Sequence, residues 1–182
     1  MPTLFELRAA ARARFAGDFA GTIRAYYPYW DAQYRPYLLA AVDAFPPEAL
    51  DSKPKPALMT ARQIIIHIAD AETVWNAIIE GEPFEEWIVE ADDPAEGFRS
   101  TVEAPDHAAL HRLLERCHEP FRNWLDRPAD ALGRIIDRRF ADGTERSYTL
   151  HWIFDHVQEH EIHHRAQLNL YLRLLGIEPP SI

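Results

Sequence analysis

The sequence TLHWIFDHVQEHEIHHRAQLNLYLRLLG, residues 149–176, decides the fold. Apolar and aromatic side chains recur in it every three or four residues, which predicts one long amphipathic helix from about Thr149 to Leu175 that closes on Gly176. A helix that buries one face along this length needs partner helices, so the stretch predicts a helical bundle. Its predicted inward stripe consists of Leu150, Ile153, Val157, His160, His164, Leu168, Tyr171 and Leu175.

Two partner helices are marked by signals at their ends. Thr60 and Gln63 fit a capping box, in which the hydroxyl accepts a backbone hydrogen bond and the amide reaches back to the first residue. They predict a second helix that ends at Gly81. Its predicted inward stripe consists of Ile64, His67, Ile68, Ala71, Val74, Trp75 and Ile78. Asp106 can cap a third helix that runs to about Asp126.

The remaining helical pattern is less regular. It runs to about Phe45, but Pro28 and Pro36 must start, kink or break it. Its predicted inward face is rich in aromatic residues and consists of Ile23, Tyr27, Trp30, Tyr34, Leu38, Ala41 and Phe45. We also expect a short helix at residues 3–16, docked on the bundle or on a second subunit, and a long acidic connection at 82–105.

Residues 134–148 change character just before the last helix. Two short runs flank Asp142-Gly143, a dipeptide that favours a tight β-hairpin turn. The prediction is therefore an all-α four-helix bundle with one short β-hairpin. The whole chain is expected to form a single domain, with a core over about 20–180 and a helical extension at 1–19.

Charge and composition exclude several classes of partner. The chain has 29 acidic and 19 basic residues, a formal net charge of -10, which repels nucleic acid and anionic membrane surfaces. No apolar run approaches the roughly 20 residues that span a bilayer, and no signal peptide is visible, so we expect a cytoplasmic protein. Cys117 is the single cysteine and is expected to be buried and inert.

Three histidines form a candidate metal site. His160 and His164 lie four residues apart, about 40° around a helix axis, so their imidazoles can meet at one point. His67 interrupts the apolar stripe of the second helix. Three unpaired imidazoles in a core are costly, whereas a divalent ion satisfies all three and keeps coordination positions open for water or substrate.

The alternative is that His67 is a core histidine bonded to a carbonyl group and that the last helix is simply rich in surface histidines. His156 and His163 flank the inward stripe and could be outer partners of a metal site or pocket residues, although a surface position is the stronger expectation. Four further histidines are expected to be solvated: His107, His111, His118 and His151.

The string HEIHH also matches the H-E-x-x-H signature of zinc peptidases, in which the glutamate activates water. Those enzymes need a third ligand downstream, and Glu178 is the sole acidic residue after His164. A peptidase is therefore disfavoured. Glu161 remains a candidate catalytic base or orienting carboxylate, with a plain surface glutamate as the alternative.

The segments RQIIIHIADAE (62–72), HEIHHRAQ (160–167) and YLRLLGIEPP (171–180) resemble the DinB/YfiT-like family, over roughly residues 20–180. The resemblance implies an up-down-down-up four-helix bundle, a homodimer, and a nickel or zinc ion held by one histidine of the second helix and two of the last. These ligands match His67, His160 and His164. The sequence departs from the family at Ala166, where glycine is frequent.

The resemblance to that family also implies an activity, that of a thiol S-transferase that uses bacillithiol or mycothiol. In such an enzyme the metal lowers the pKa of the thiol, so that a thiolate forms and attacks an electrophile. A metal-dependent hydrolase or isomerase without a thiol, and a non-catalytic metal- or ligand-binding module, remain alternatives. Arg62 and Arg165 could hold a carboxylate of the cofactor, or could be surface residues. Three imidazoles suit nickel, zinc, iron and copper alike.

Overall fold

The computed structural model describes residues 19–82, 102–139 and 143–181. In these ranges the predicted four helices and the hairpin are confirmed. The predicted helix at 3–16 and most of the connection at 82–105 lie outside the described residues. The elements are α1 (Arg35–Asp43), α2 (Ala61–Glu80), α3 (His107–Leu125), β1 (Ile135–Arg139), β2 (Glu145–Thr149) and α4 (Leu150–Leu174).

The helix ends follow the local chemistry of the sequence. Thr60 and Gln63 form the capping box at the start of α2, and Gly81 ends that helix in the left-handed region with φ of 74°. The side chains of Asp106 and Thr149 accept backbone hydrogen bonds at the starts of α3 and α4. These caps fix where the three long helices begin.

The first helical pattern is broken, and the break changes which side chain is buried. A π-helical turn, Trp30–Tyr34, precedes α1, and Pro36 lies in the first turn of α1. A π turn contains one more residue than an α turn. The side chain that follows Trp30 into the core is therefore Arg35, which is 2% exposed, and the predicted inward position at Tyr34 is half-buried.

Two apolar clusters fill the bundle. One joins α1, α2, α3 and the end of α4 around Leu38, Ile65 and Leu114. The other lies towards the hairpin and includes Trp30 and Phe154. None of the helices in the described ranges combines the length and the apolar character needed to span a membrane.

The buried face of α2 is displaced from the predicted stripe. Ile65, Ala69 and Ile79 are buried, whereas Val74 and Trp75 are half-buried. The reason is that α2 packs against both α3 and α4, so its buried face is wide and the predicted stripe lies along one edge of it. That edge carries His67 and faces α4.

Candidate metal centre

Three imidazoles converge between α2 and α4. The Nε2 atoms of His67 and His160 lie 3.1 Å apart. The ring of His164 lies 4.8 Å from that of His67 and 4.3 Å from that of His160, centroid to centroid. The structure therefore brings together the three histidines that the sequence singled out as ligands.

The spacing of the nitrogens fits a divalent ion. Two metal–nitrogen bonds of about 2.1 Å that meet at about 90–109° separate the nitrogens by about 3.0–3.4 Å. The 3.1 Å between His67 and His160 lies in that interval. One ligand atom from each of the three side chains lies within 4.8 Å of the others. Nickel and zinc both accept such a nitrogen donor set.

Electrostatics keep these imidazoles neutral at pH 7. Burial, and then repulsion by the neighbouring imidazoles, lowers the pKa of His160 to about 2. Burial followed by repulsion from His67 lowers the pKa of His164 to about 4, and burial also lowers the pKa of His67. Neutral imidazoles keep the nitrogen lone pair that a metal needs.

Gln167 connects two histidines of α4 by its side-chain amide. Its Oε1 lies 2.8 Å from Nδ1 of His164, and its Nε2 lies 3.1 Å from Nε2 of His163. Gln167 belongs to the sequence motif at 160–167, but the motif predicted no role for it. The available signal was its position three residues after His164, which places the two side chains on one helix face.

An aromatic stack continues from the histidines along α4. His156 stacks on Trp152 with an interplanar angle of 8° at 4.8 Å, and its ring lies 6.3 Å from that of His160. The ring of Tyr148 packs against that of Trp152 at 4.9 Å. Trp75 of α2 packs edge-on against His156 at 5.1 Å. His156 is thus part of an aromatic wall beside the candidate metal centre.

A second polar cluster, the buried quartet, takes one residue from each of the four helices: Arg35, Glu72, His118 and Glu161. Arg35 donates to Glu72 at 2.6 Å and to Glu161 at 3.0 Å. His118 contacts Glu72 at 2.7 Å and, beyond the quartet, Asp31 at 2.9 Å. All four quartet side chains are at most 2% exposed.

The buried quartet corrects one prediction. His118 was expected to be solvated, and that is wrong: its side chain is 0% exposed. The burial is possible because the carboxylates of Asp31 and Glu72 accept hydrogen bonds from its two ring nitrogens. Arg35 and Glu72 were missed altogether. Polar residues at helical spacing are ordinarily surface residues, so the pattern alone gave no reason to place them inside.

Charges inside the quartet largely compensate one another. Burial raises the pKa of Glu72, but Arg35 and His118 outweigh that effect and the pKa is lowered. For Glu161, burial prevails over the attraction of Arg35 and the pKa is raised. Glu72, His118 and Glu161 lie close enough to hold a metal, but the Arg35 guanidinium already supplies a cation to both carboxylates.

Glu161, the predicted base or orienting carboxylate, belongs to this quartet. Its Oε2 accepts hydrogen bonds from Arg35 and from the Trp30 indole, and its buried Oε1 has no hydrogen-bond partner among the residues that the structure describes. It is not grouped with the three imidazoles in the described part of the chain, although it directly follows His160. Its role as a catalytic base or an orienting carboxylate stays a prediction.

The two candidate arginines have other partners. Arg62 forms a two-pronged ion pair with Asp51 and also donates to the carbonyl group of Ala104. Arg165 is buried against the rings of Tyr34 and Tyr37. Each contact directs the guanidinium to a neighbour other than the three imidazoles.

The other side chains assigned by sequence are partly buried. His107 bonds to a backbone carbonyl, His111 to Asp43, and His151 to Asp155. Cys117 is half-buried, and burial raises the pKa of its thiol, in agreement with an inert cysteine.

Comparisons with known proteins agree with this architecture. The model of the DinB family matches residues 19–182. A crystal structure of a DinB-like protein, YjoA, from Bacillus subtilis is similar to the chain with a TM-score of 0.57 at 23% sequence identity, covering 81% of this chain and 90% of that one. The fold is therefore shared with a DinB-like protein. No curated protein matches the chain significantly.

Proposed function

Because the chain belongs to the DinB family, we propose that it is a divalent-metal-dependent enzyme that transfers a low-molecular-weight thiol to a small electrophile. The observation that carries the proposal is the convergence of three neutral imidazoles from two helices. Three protein donors leave coordination positions for other molecules, which is typical of catalytic and not of structural sites.

The residues that would hold the ion are His67, His160 and His164, with nickel or zinc as the expected metals. When bound, the ion would supply a Lewis acid that lowers the pKa of a coordinated thiol. The chain itself supplies orientation: two ligands one turn apart on α4, and a third on α2. A cytoplasmic location and a homodimer stay predictions.

Glu161 would act indirectly in this proposal. The buried quartet anchors its carboxylate, and the peptide that carries it is continuous with His160. We expect it to hold α4 at the depth where His160 meets His67. The aromatic wall of Trp75, Trp152 and His156 forms an apolar border beside the site, which suits an electrophile with apolar character.

Metal content tests the first half of the proposal. The protein should be purified without chelators and its metals measured by elemental analysis, beside His67→Ala and the control His111→Ala. The side chain of His111 is 30% exposed and contacts Asp43, and His111 does not belong to the group of three imidazoles. We expect about one metal per chain in the wild type and the control, and a large loss in His67→Ala. Full retention of metal in His67→Ala would refute the site.

Thiol conjugation tests the second half. Metal-loaded protein is incubated with bacillithiol, mycothiol, glutathione or cysteine and a chromogenic electrophile, and the thioether product is measured. We expect product formation that chelator abolishes and that His111→Ala retains. Turnover in thiol-free buffer would instead indicate a hydrolase or isomerase. Binding of small molecules without turnover of any of them would indicate a non-catalytic module.

A further inference from the structure

The outer nitrogen of His164 is occupied by a side chain that can only accept a hydrogen there. Gln167 Oε1 lies 2.8 Å from His164 Nδ1. A carbonyl oxygen has no proton to donate, so the hydrogen of the neutral imidazole must be on Nδ1. The lone pair is then on Nε2, the nitrogen left for a metal.

The orientation of the Gln167 amide is fixed in turn by His163. The amide Nε2 lies 3.1 Å from His163 Nε2, which must accept its hydrogen. An amide turned by 180° would present its NH₂ group to His164 Nδ1 and would face His163 with an oxygen. That arrangement would favour a hydrogen on Nε2 of His164, where it blocks metal binding.

We propose that Gln167 is a positioning residue of the metal centre, which selects the tautomer in which His164 Nε2 is a ligand, and that His163 sets the direction of its amide. The inference rests on the proposed metal site. Hydrogen-bond partners of this kind, on the outer nitrogen of a ligating histidine, change metal affinity by about 10–100-fold when they are removed.

Three variants separate this role from a structural one. Gln167→Leu removes the acceptor with little change in volume, and Gln167→Glu keeps an acceptor on Nδ1 of His164. Gln158→Leu is the matched control, because Gln158 is also a half-buried glutamine of α4. Zinc affinity is measured by competition with a chromophoric chelator, and circular dichroism checks the helical content of each variant.

We expect Gln167→Leu to bind zinc about 10–100-fold more weakly, with Gln167→Glu and Gln158→Leu within a few-fold of the wild type. An unchanged affinity in Gln167→Leu would overturn the proposal. So would an equal loss in Gln158→Leu, since any change on α4 would then suffice. Failure of Gln167→Glu to restore affinity would also count against an acceptor role.

A second measurement does not require metal. Nitrogen-15 NMR of the metal-free protein distinguishes the two imidazole tautomers, with His164 assigned by its loss in a His164→Ala spectrum. We expect the Nδ1–H form in the wild type and a mixture in Gln167→Leu. The same tautomer in both proteins would overturn the role of Gln167. Absence of zinc binding to the wild type would instead refute the metal site, and the NMR comparison would still decide the tautomer.

Discussion

Removal of the Arg35 guanidinium should destabilise the protein more than loss of any exposed ion pair. In Arg35→Met the side chain keeps much of its length and loses its charge. Glu72 and Glu161, each 1% exposed, would then share the core without the cation that contacts both. The backbone carbonyl group of Leu114 would also lose its hydrogen bond from Arg35 Nη2.

The magnitude follows from this burial. Removing one partner of a buried ion pair costs about 3–5 kcal/mol, because the other charge is left uncompensated. We expect the upper end of that range for Arg35→Met, since both carboxylates lose the guanidinium and only Glu72 keeps a second cationic partner, His118. This is a large share of the roughly 5–15 kcal/mol by which domains are stable.

Urea unfolding followed by circular dichroism measures the effect. Arg62→Met is the control, because its partner Asp51 is 65% exposed and such pairs contribute about 0–1 kcal/mol. The double variant Arg35→Met/Glu161→Gln removes one positive and one negative charge together and should regain about 2 kcal/mol relative to Arg35→Met. A cost below about 1 kcal/mol for Arg35→Met, or strict additivity in the double variant, would refute the pairing.

Two further predictions concern pH and metal. Burial lowers the pKa of His118, but its hydrogen bonds to Asp31 and Glu72 outweigh that effect and raise it. The stabilisation that His118 contributes is therefore complete below about pH 6.5 and is lost as the pH rises through the raised pKa. The difference in unfolding free energy between the wild type and His118→Gln should shrink accordingly from pH 6 to 9; a constant difference would contradict this. Secondly, zinc at 100 times its dissociation constant should add about 2.7 kcal/mol. That corresponds to a rise in the melting temperature of about 5–10 °C by thermal scan, which EDTA reverses and His160→Ala lacks.

The parts of the fold that local chemistry determines were predictable from the sequence. The capping box at Thr60, the caps at Asp106 and Thr149, and the left-handed glycine at Gly81 all follow from short-range hydrogen bonding and sterics. The convergence of the three histidines was predictable for a related reason: a spacing of four residues fixes two directions on one helix. The position of His67 relative to these two histidines depends on how α2 packs against α4, which residue spacing alone does not determine.

The buried quartet could not be predicted in this way. Its members look like surface residues because hydropathy assigns arginine and glutamate to solvent, and His118 was placed there too. The compensation that makes them stable inside exists only after the four helices have packed together. The π turn before α1 added a second difficulty. It advances the inward face by one residue, so that periodicity assigned the position of Arg35 to Tyr34.

The two polar clusters of the bundle differ in how their buried groups are compensated. In the buried quartet, Arg35 and His118 face Glu72 and Glu161, so that cluster supplies its own cations. The three imidazoles are also largely removed from water, but they are neutral groups in contact with one another. No carboxylate of the described residues is grouped with them.

In the metal-free protein the Nε2 atoms of His67 and His160 share a hydrogen bond, so a metal must displace that hydrogen to bind both nitrogens. The helices α2 and α4, which carry the imidazoles, also carry Glu72 and Glu161 of the buried quartet. The salt bridges of Arg35 to these two carboxylates therefore connect the two helices beside the imidazoles. A charge-compensated core thus lies beside a group of neutral imidazoles, and a divalent cation is the partner that we propose for that group.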